Sequence, residues 1–117
     1  VRKNLGGAAE KAAVLFLEGK GIRILERNFR SYHGEIDIIA LEKHTILVVE
    51  VKMRSHRDCG TAAEAVDFKK QKRICYTFNY YRMKKQIAEN TEVRFDVIEV
   101  NRAFQCHWIK NAFEFRE

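Results

Sequence analysis

Two apolar runs, residues 35–41 and 45–53, are separated by a short polar break, and each carries a carboxylate where a strand should be buried. The first belongs to Gly34-Glu35-Ile36-Asp37-Ile38-Ile39, the second to Val49-Glu50-Val51-Lys52. Side chains alternate faces along a strand, so Glu50 and Lys52 point the same way. If Lys43 and His44 form a two-residue turn, Asp37 falls opposite Glu50, and any even shift of register keeps both on one face. Opposed Cβ atoms lie about 4.5–5.5 Å apart, where like charges repel. A cation must offset that repulsion. A divalent metal with a lysine beside it meets the need, and this combination points to phosphodiester cleavage.

The second run does not alternate. Ile46, Leu47, Val48 and Val49 are apolar on both faces, the pattern of a central strand covered on both sides. Glu50 and Lys52 then have no evident wet face, the main physical reason to read them as a site. The competing reading is a Glu–Lys pair at an exposed strand end, joined by Asp37; Glu18-Gly19-Lys20 is such a surface case at a helix end.

Around these runs the chain reads α-β-β-β-α-β in one domain, residues 1–117. Residues 5–18 form a helix, apolar on most sides and expected to be largely buried, which Gly19-Lys20-Gly21 ends. Strands follow over 22–29, 34–41 and 45–53. Residues 54–60 read as a polar loop. A long helix is expected over 62–87, with Thr61 as N-cap and Glu64 completing a capping box. Residues 92–100 alternate as a fourth strand, and 108–115 form a last strand or a turn of helix.

Glu10 shares its helix face with Ala13, Val14 and Leu17, so it is either a surface group or aimed inward at a site. Lys70 interrupts the row Ala63, Val66, Ile74, Phe78, which directs its amine toward the strand ends. Lys69, Lys72, Arg73, Tyr76 and Arg82 lie on broader faces, as a solvated surface or a phosphate-tracking stripe. Asp96 beside Arg94 reads as a structural ion pair. The net charge of +6 favours a polyanionic partner, although basicity alone would equally suit an anionic membrane surface. No apolar stretch is long enough to span a bilayer and no secretory leader opens the chain, so no membrane is expected. Cys59, Cys75 and Cys106 form no Cys-x-x-Cys pair, and the histidines lack zinc spacing; free thiols in the cytoplasm are the expectation.

Gly6 and Glu10, Gly34-Glu35-Ile36-Asp37-Ile38-Ile39-Ala40, Val49-Glu50-Val51-Lys52-Met53-Arg54, Lys70-Gln71, Arg94-Phe95-Asp96-Val97 and Ile109-Lys110-Asn111-Ala112-Phe113 together resemble the bacterial YraN-like family. The resemblance runs in order through nearly the whole chain. That family is similar to archaeal Holliday junction resolvases within the PD-(D/E)XK nuclease superfamily. The superfamily's Pro-Asp is Ile36-Asp37 here, and the proline makes no bond in the chemistry.

The resemblance implies an α/β fold, a restriction-endonuclease-like αβββαβ core whose mixed central sheet is flanked by helices. It implies metal ligation by Asp37 and Glu50, a catalytic role for Lys52 and an auxiliary acidic role for Glu10. The cofactor expected is Mg²⁺ (or Mn²⁺), held by Asp37, Glu50 and the Val51 carbonyl. DNA is the expected partner, contacted by Lys70, Gln71, Arg73 and Arg54. Branched DNA follows by analogy with the resolvases. Symmetric cutting would call for a homodimer, with Phe104, Trp108, Phe113 and Phe115 as apolar candidates for its interface or equally for the core. Two rivals stand beside the endonuclease: a catalytically weak nucleic-acid-binding module on the same fold, and a basic scaffold for an acidic protein.

Overall fold

The computed structural model describes residues 2–54 and 66–115, with side chains from residue 7 onward. Helix α1 (Arg2–Gly19) leads into β1 (Arg23–Ser31), β2 (Gly34–Glu42) and β3 (Thr45–Met53). Helix α2 (Phe68–Lys84) then crosses to β4 (Glu92–Val100), and β5 (Cys106–Phe113) closes the chain. The five strands lie in sequence order in one mixed sheet: β3 and β4 are parallel, every other neighbouring pair antiparallel. This is an α/β fold consistent with a restriction-endonuclease-like core. The ambiguous last segment is a strand.

The helices cover opposite faces of the sheet. Beneath α2 lie Ile36, Ile39, Ile46, Val48, Phe95 and Val97, meeting Ile74 and Phe78. Beneath α1 lie Ile38, Ala40, Leu47, Val49 and Ile98, meeting Ala9, Ala13 and Leu17. Each large aliphatic or aromatic side chain so covered contributes about 1.5–3 kcal/mol. β3 is covered on both sides, as its unbroken apolar run predicts. α1 is less buried than expected: Leu15 is 60% exposed, because one helix on one sheet face has only one stripe to bury.

Both helices end in the same hydrogen-bond pattern. For α1, Ile22 N–H donates to Leu17 O and Gly21 N–H to Glu18 O, with Gly21 at φ 81°, where glycine carries no Cβ penalty. For α2, Ile87 N–H donates to Arg82 O and Gln86 N–H to Met83 O, with Gln86 at φ 54°. That helix therefore stops at Lys84, short of the expected 87.

The start of α2 is a second correction. Asp67 is its N-cap, its carboxylate accepting from Lys70 N–H at 2.8 Å, and Val66 precedes the helix. Thr61 and Glu64, the expected capping box, lie outside the described residues, as do Ala63, Cys59 and nearly all of the expected loop 54–60. Among the described residues no helix is long and apolar enough to cross a membrane.

Candidate functional site

The β2–β3 hairpin turns on Lys43 and His44, with Glu42 paired to Thr45 and Lys43 at φ 55°. The ladder runs to Ile38 opposite Val49 and ends there. One step further along the same register would set Asp37 against Glu50. Here the pleat breaks: Ile36 and Ile38, two residues apart, point into the cores on opposite faces of the sheet. The Asp37 carboxylate takes the place of a ladder partner, accepting from Val51 N–H at 2.8 Å. N–H and C=O of a strand residue face the same edge, so the Val51 carbonyl opens toward this gap as well.

Three half-buried carboxylates meet at the opening. Oxygens of Glu10 on α1 and of Glu35 and Asp37 on β2 all lie within 4.8 Å of one another. Burial first, then Asp37, raises the Glu10 carboxyl above its ordinary range. Glu35 also pairs with Arg30 at 2.6 Å. It is the acid that sequence reasoning did not single out; its position two residues before Asp37 was the available signal.

Glu50 is 6% exposed. Its Oε1 lies 3.5 Å from Lys70 Nζ, while Oε2 is buried with no hydrogen-bond partner among the described residues. Burial, reinforced by the Asp37 carboxylate, pushes the Glu50 carboxyl up to about 10, although Lys70 opposes the shift. With Glu50 and Asp37 both ionised, Lys70 offsets one of the two charges, and a divalent cation would offset the other. The donor set of carboxylates and one strand carbonyl is all oxygen, as a hard ion such as Mg²⁺ prefers.

Lys70 and Glu50 meet as the helical row predicted. Lys52 is two residues from Glu50 on the same strand face, exposed and without an ion pair among the described residues. Arg73 is exposed on α2, and a Cβ added at Gly34 would stand 3.3 Å from its Cβ. Two expected nucleic-acid contacts sit differently. Gln71 is buried, its amide donating to Val66 O at 2.8 Å, so it braces the start of α2. Arg54 is ion-paired with Glu99.

Asp96 is fully buried and wholly engaged. It accepts from Arg94 Nε and Nη2, from Trp108 Nε1 and from Asn111 N–H, all at 2.8–2.9 Å. It is structural, as its neighbour Arg94 suggested. Of the candidate interface aromatics, Phe113 belongs to the core and Trp108 packs edge-on against Phe16, whereas Phe104 and Phe115 are exposed. Cys106 is a free thiol and Cys75 is buried.

The model of the uncharacterised protein family UPF0102 matches residues 9–100. A UPF0102 protein of Pseudomonas putida is 38% identical over 113 residues, covering 93% of this chain and 92% of its own. One from Alkaliphilus oremlandii is 43% identical over 117 residues, covering 97% and 100%. One from Clostridium botulinum is 44% identical over the same span, covering 96% and 95%. The chain belongs to the UPF0102 family, also described as YraN-like, and Glu10, Asp37, Glu50 and Lys52 lie within the matched span.

Proposed function

We propose that this protein is a metal-dependent endonuclease of the PD-(D/E)XK type, hydrolysing phosphodiester bonds in structured or branched DNA. The observation that carries this reading is the buried Glu50 carboxyl set beside Asp37 at the point where β2 and β3 part, with Lys70 3.5 Å away. Two adjacent carboxylates, one of them buried, do not both ionise readily unless a cation joins them.

Asp37, Glu50 and the Val51 carbonyl would hold Mg²⁺ or Mn²⁺, with Glu10 and Glu35 at its outer side. The bound ion supplies electrostatic stabilisation of the phosphate and a lowered pKa for an attacking water. The Asp37 link to Val51 N–H fixes the carboxylate against β3, so the ligands are set before the substrate arrives. Lys52 faces the phosphate from the exposed side of Glu50 and stabilises charge that develops during attack. Lys70, next to Glu50, holds a neighbouring phosphate oxygen. Helix α2 carries six Lys or Arg and no acid, which suits a DNA backbone.

The deciding experiment is a cleavage screen on a four-way junction, a flap, a single strand and a nicked duplex. Wild type should cut at least one with Mg²⁺ or Mn²⁺, and chelator or Asp37→Asn should stop it. Cleavage that persists in chelator would overturn the mechanism. Divalent-ion binding that Asp37→Asn removes, without cleavage of any substrate, would leave the binding module instead.

A further inference from the structure

A second surface has no role in hydrolysis. The β1–β2 turn projects Tyr32 and His33 beside α2, where Tyr76, Tyr80 and Met83 line a shallow cavity of about 710 Å³ with them. Tyr32 is 98% exposed and Tyr76 59%. The rings already touch one another: His33 lies 4.5 Å from Tyr76, tilted by 48°, and meets Tyr32 edge-on at 5.3 Å between centroids. So much exposed aromatic surface in one place marks an interaction site rather than scattered surface residues.

The turn is held firmly. Ser31 Oγ and Thr77 Oγ1 are hydrogen-bonded at 2.8 Å, and His33 N–H donates back to Ser31 Oγ. Gly34 lets the hairpin lie against α2: a Cβ there would stand 3.3 Å from Arg73 Cβ and Thr77 Oγ1. The backbone that carries Tyr32 and His33 is thus set before binding and loses little freedom on it.

Charge decides what fits them. Lys69, Arg73, Tyr76 and Tyr80 recur at helical spacing along one exposed stripe of α2, cations followed by rings. Flat π-faces interleaved with Lys and Arg suit unpaired nucleobases and the phosphates between them. Four residue-to-residue steps, about 13 Å at 3.3 Å each, lead from His33 to Asp37. That distance is about four nucleotides at the stacked spacing of 3.4 Å.

We infer that the Tyr32–His33–Tyr76–Tyr80 surface is a stacking platform for a single-stranded nucleic-acid arm leading away from the acidic site. The inference rests on the nuclease reading and narrows it to substrates with unpaired nucleotides beside the cleaved bond.

The test is fluorescence anisotropy with the wild-type protein in chelator. It compares a blunt duplex, the same duplex with an arm of about six unpaired nucleotides, and that arm made abasic. The arm should tighten binding about tenfold, and the abasic arm should lose that gain. Tyr76→Ala and Tyr32→Ala should each cost about fivefold or more on the armed duplex alone, while Tyr76→Phe keeps wild-type affinity. Equal affinity for the normal and abasic arms would overturn the inference. So would a Tyr76→Ala protein that sediments as monomer where wild type is a dimer, because the patch would then serve self-association. Metal-dependent cleavage of the junction, flap, single strand and nicked duplex by wild type, measured in parallel, stands or falls separately and reports on the nuclease reading itself.

Discussion

The Asp37 carboxylate accepts a 2.8 Å hydrogen bond from Val51 N–H just past the last paired residues of β2 and β3. One side chain thereby does two things. It satisfies a strand amide that the departing partner would leave bare, and it places its negative charge beside buried Glu50.

These two tasks separate by substitution. Asp37→Asn keeps an acceptor for Val51 and removes the charge, so the fold should survive while divalent binding and nicking are lost. Asp37→Ala also strips the amide of its partner and should cost about 1–3 kcal/mol of stability. Denaturant unfolding beside a nicking assay checks both; an active Asp37→Asn protein would rule out the proposed ligand.

Glu50 makes stability depend on pH in a definite direction. In the unfolded chain its carboxyl titrates near 4.5, whereas in the fold it holds its proton up to about 10. Between those values the folded state binds more protons, so stability in chelator should fall as pH rises, on the order of 1 kcal/mol per pH unit at most. Glu50→Gln removes this titration, so its unfolding midpoint should vary less with pH and exceed that of wild type at neutral pH. Cation binding displaces the Glu50 proton, so divalent affinity in wild type should rise with pH. Parallel pH profiles for wild type and Glu50→Gln in chelator would refute this account.

The hairpin, the two-sided burial of β3 and the convergence of Asp37 and Glu50 were legible because strand alternation and a two-residue turn leave few registers. Lys70 was legible for a similar reason, a lone charge in an apolar helical row. The break in the pleat at Asp37 was not, because nothing in Ile36-Asp37-Ile38 tells which isoleucine turns away. Nor was the fate of Arg54, which depends on Glu99 arriving from β4 in parallel register. Nor does the sequence mark where α2 stops, because apolar Ile87 continues its helical period. It is the residue after a left-handed cap, and it packs back on the core.

That cap gives a stability prediction independent of function. Gln86 sits at φ 54°, a conformation costing a side-chain-bearing residue roughly 1–2 kcal/mol. Gln86→Gly should raise stability, by less than that because glycine also gains freedom in the unfolded chain. A thermal midpoint at or below wild type would show that the Gln86 side chain contributes more than its backbone loses.

Asp96 has no part in the proposed chemistry, and its substitution should show it. Asp96→Asn leaves Arg94 with a neutral partner and turns an amide NH₂ toward groups that themselves donate. The loss should approach the about 3–5 kcal/mol of a broken buried pair. Under conditions where the variant remains folded, its divalent affinity should match wild type. A lowered affinity would bring Asp96 into the site.

The two lysines should fail in different ways. Lys52 is exposed and makes no ion pair among the described residues, so Lys52→Ala should change stability by less than about 0.5 kcal/mol. Its loss should fall on turnover, on the order of 10²- to 10³-fold, as for other groups that stabilise developing charge. Lys70 lies 3.5 Å from Glu50 and belongs to the basic helix, so Lys70→Ala should act first on binding. The slope of log affinity against log salt should shrink by about 0.9, the contribution of one released counterion. Single-turnover cleavage at saturating protein separates the cases: there Lys70→Ala should recover most of its rate and Lys52→Ala should not. Recovery by Lys52→Ala would move that residue from the reaction to the binding surface.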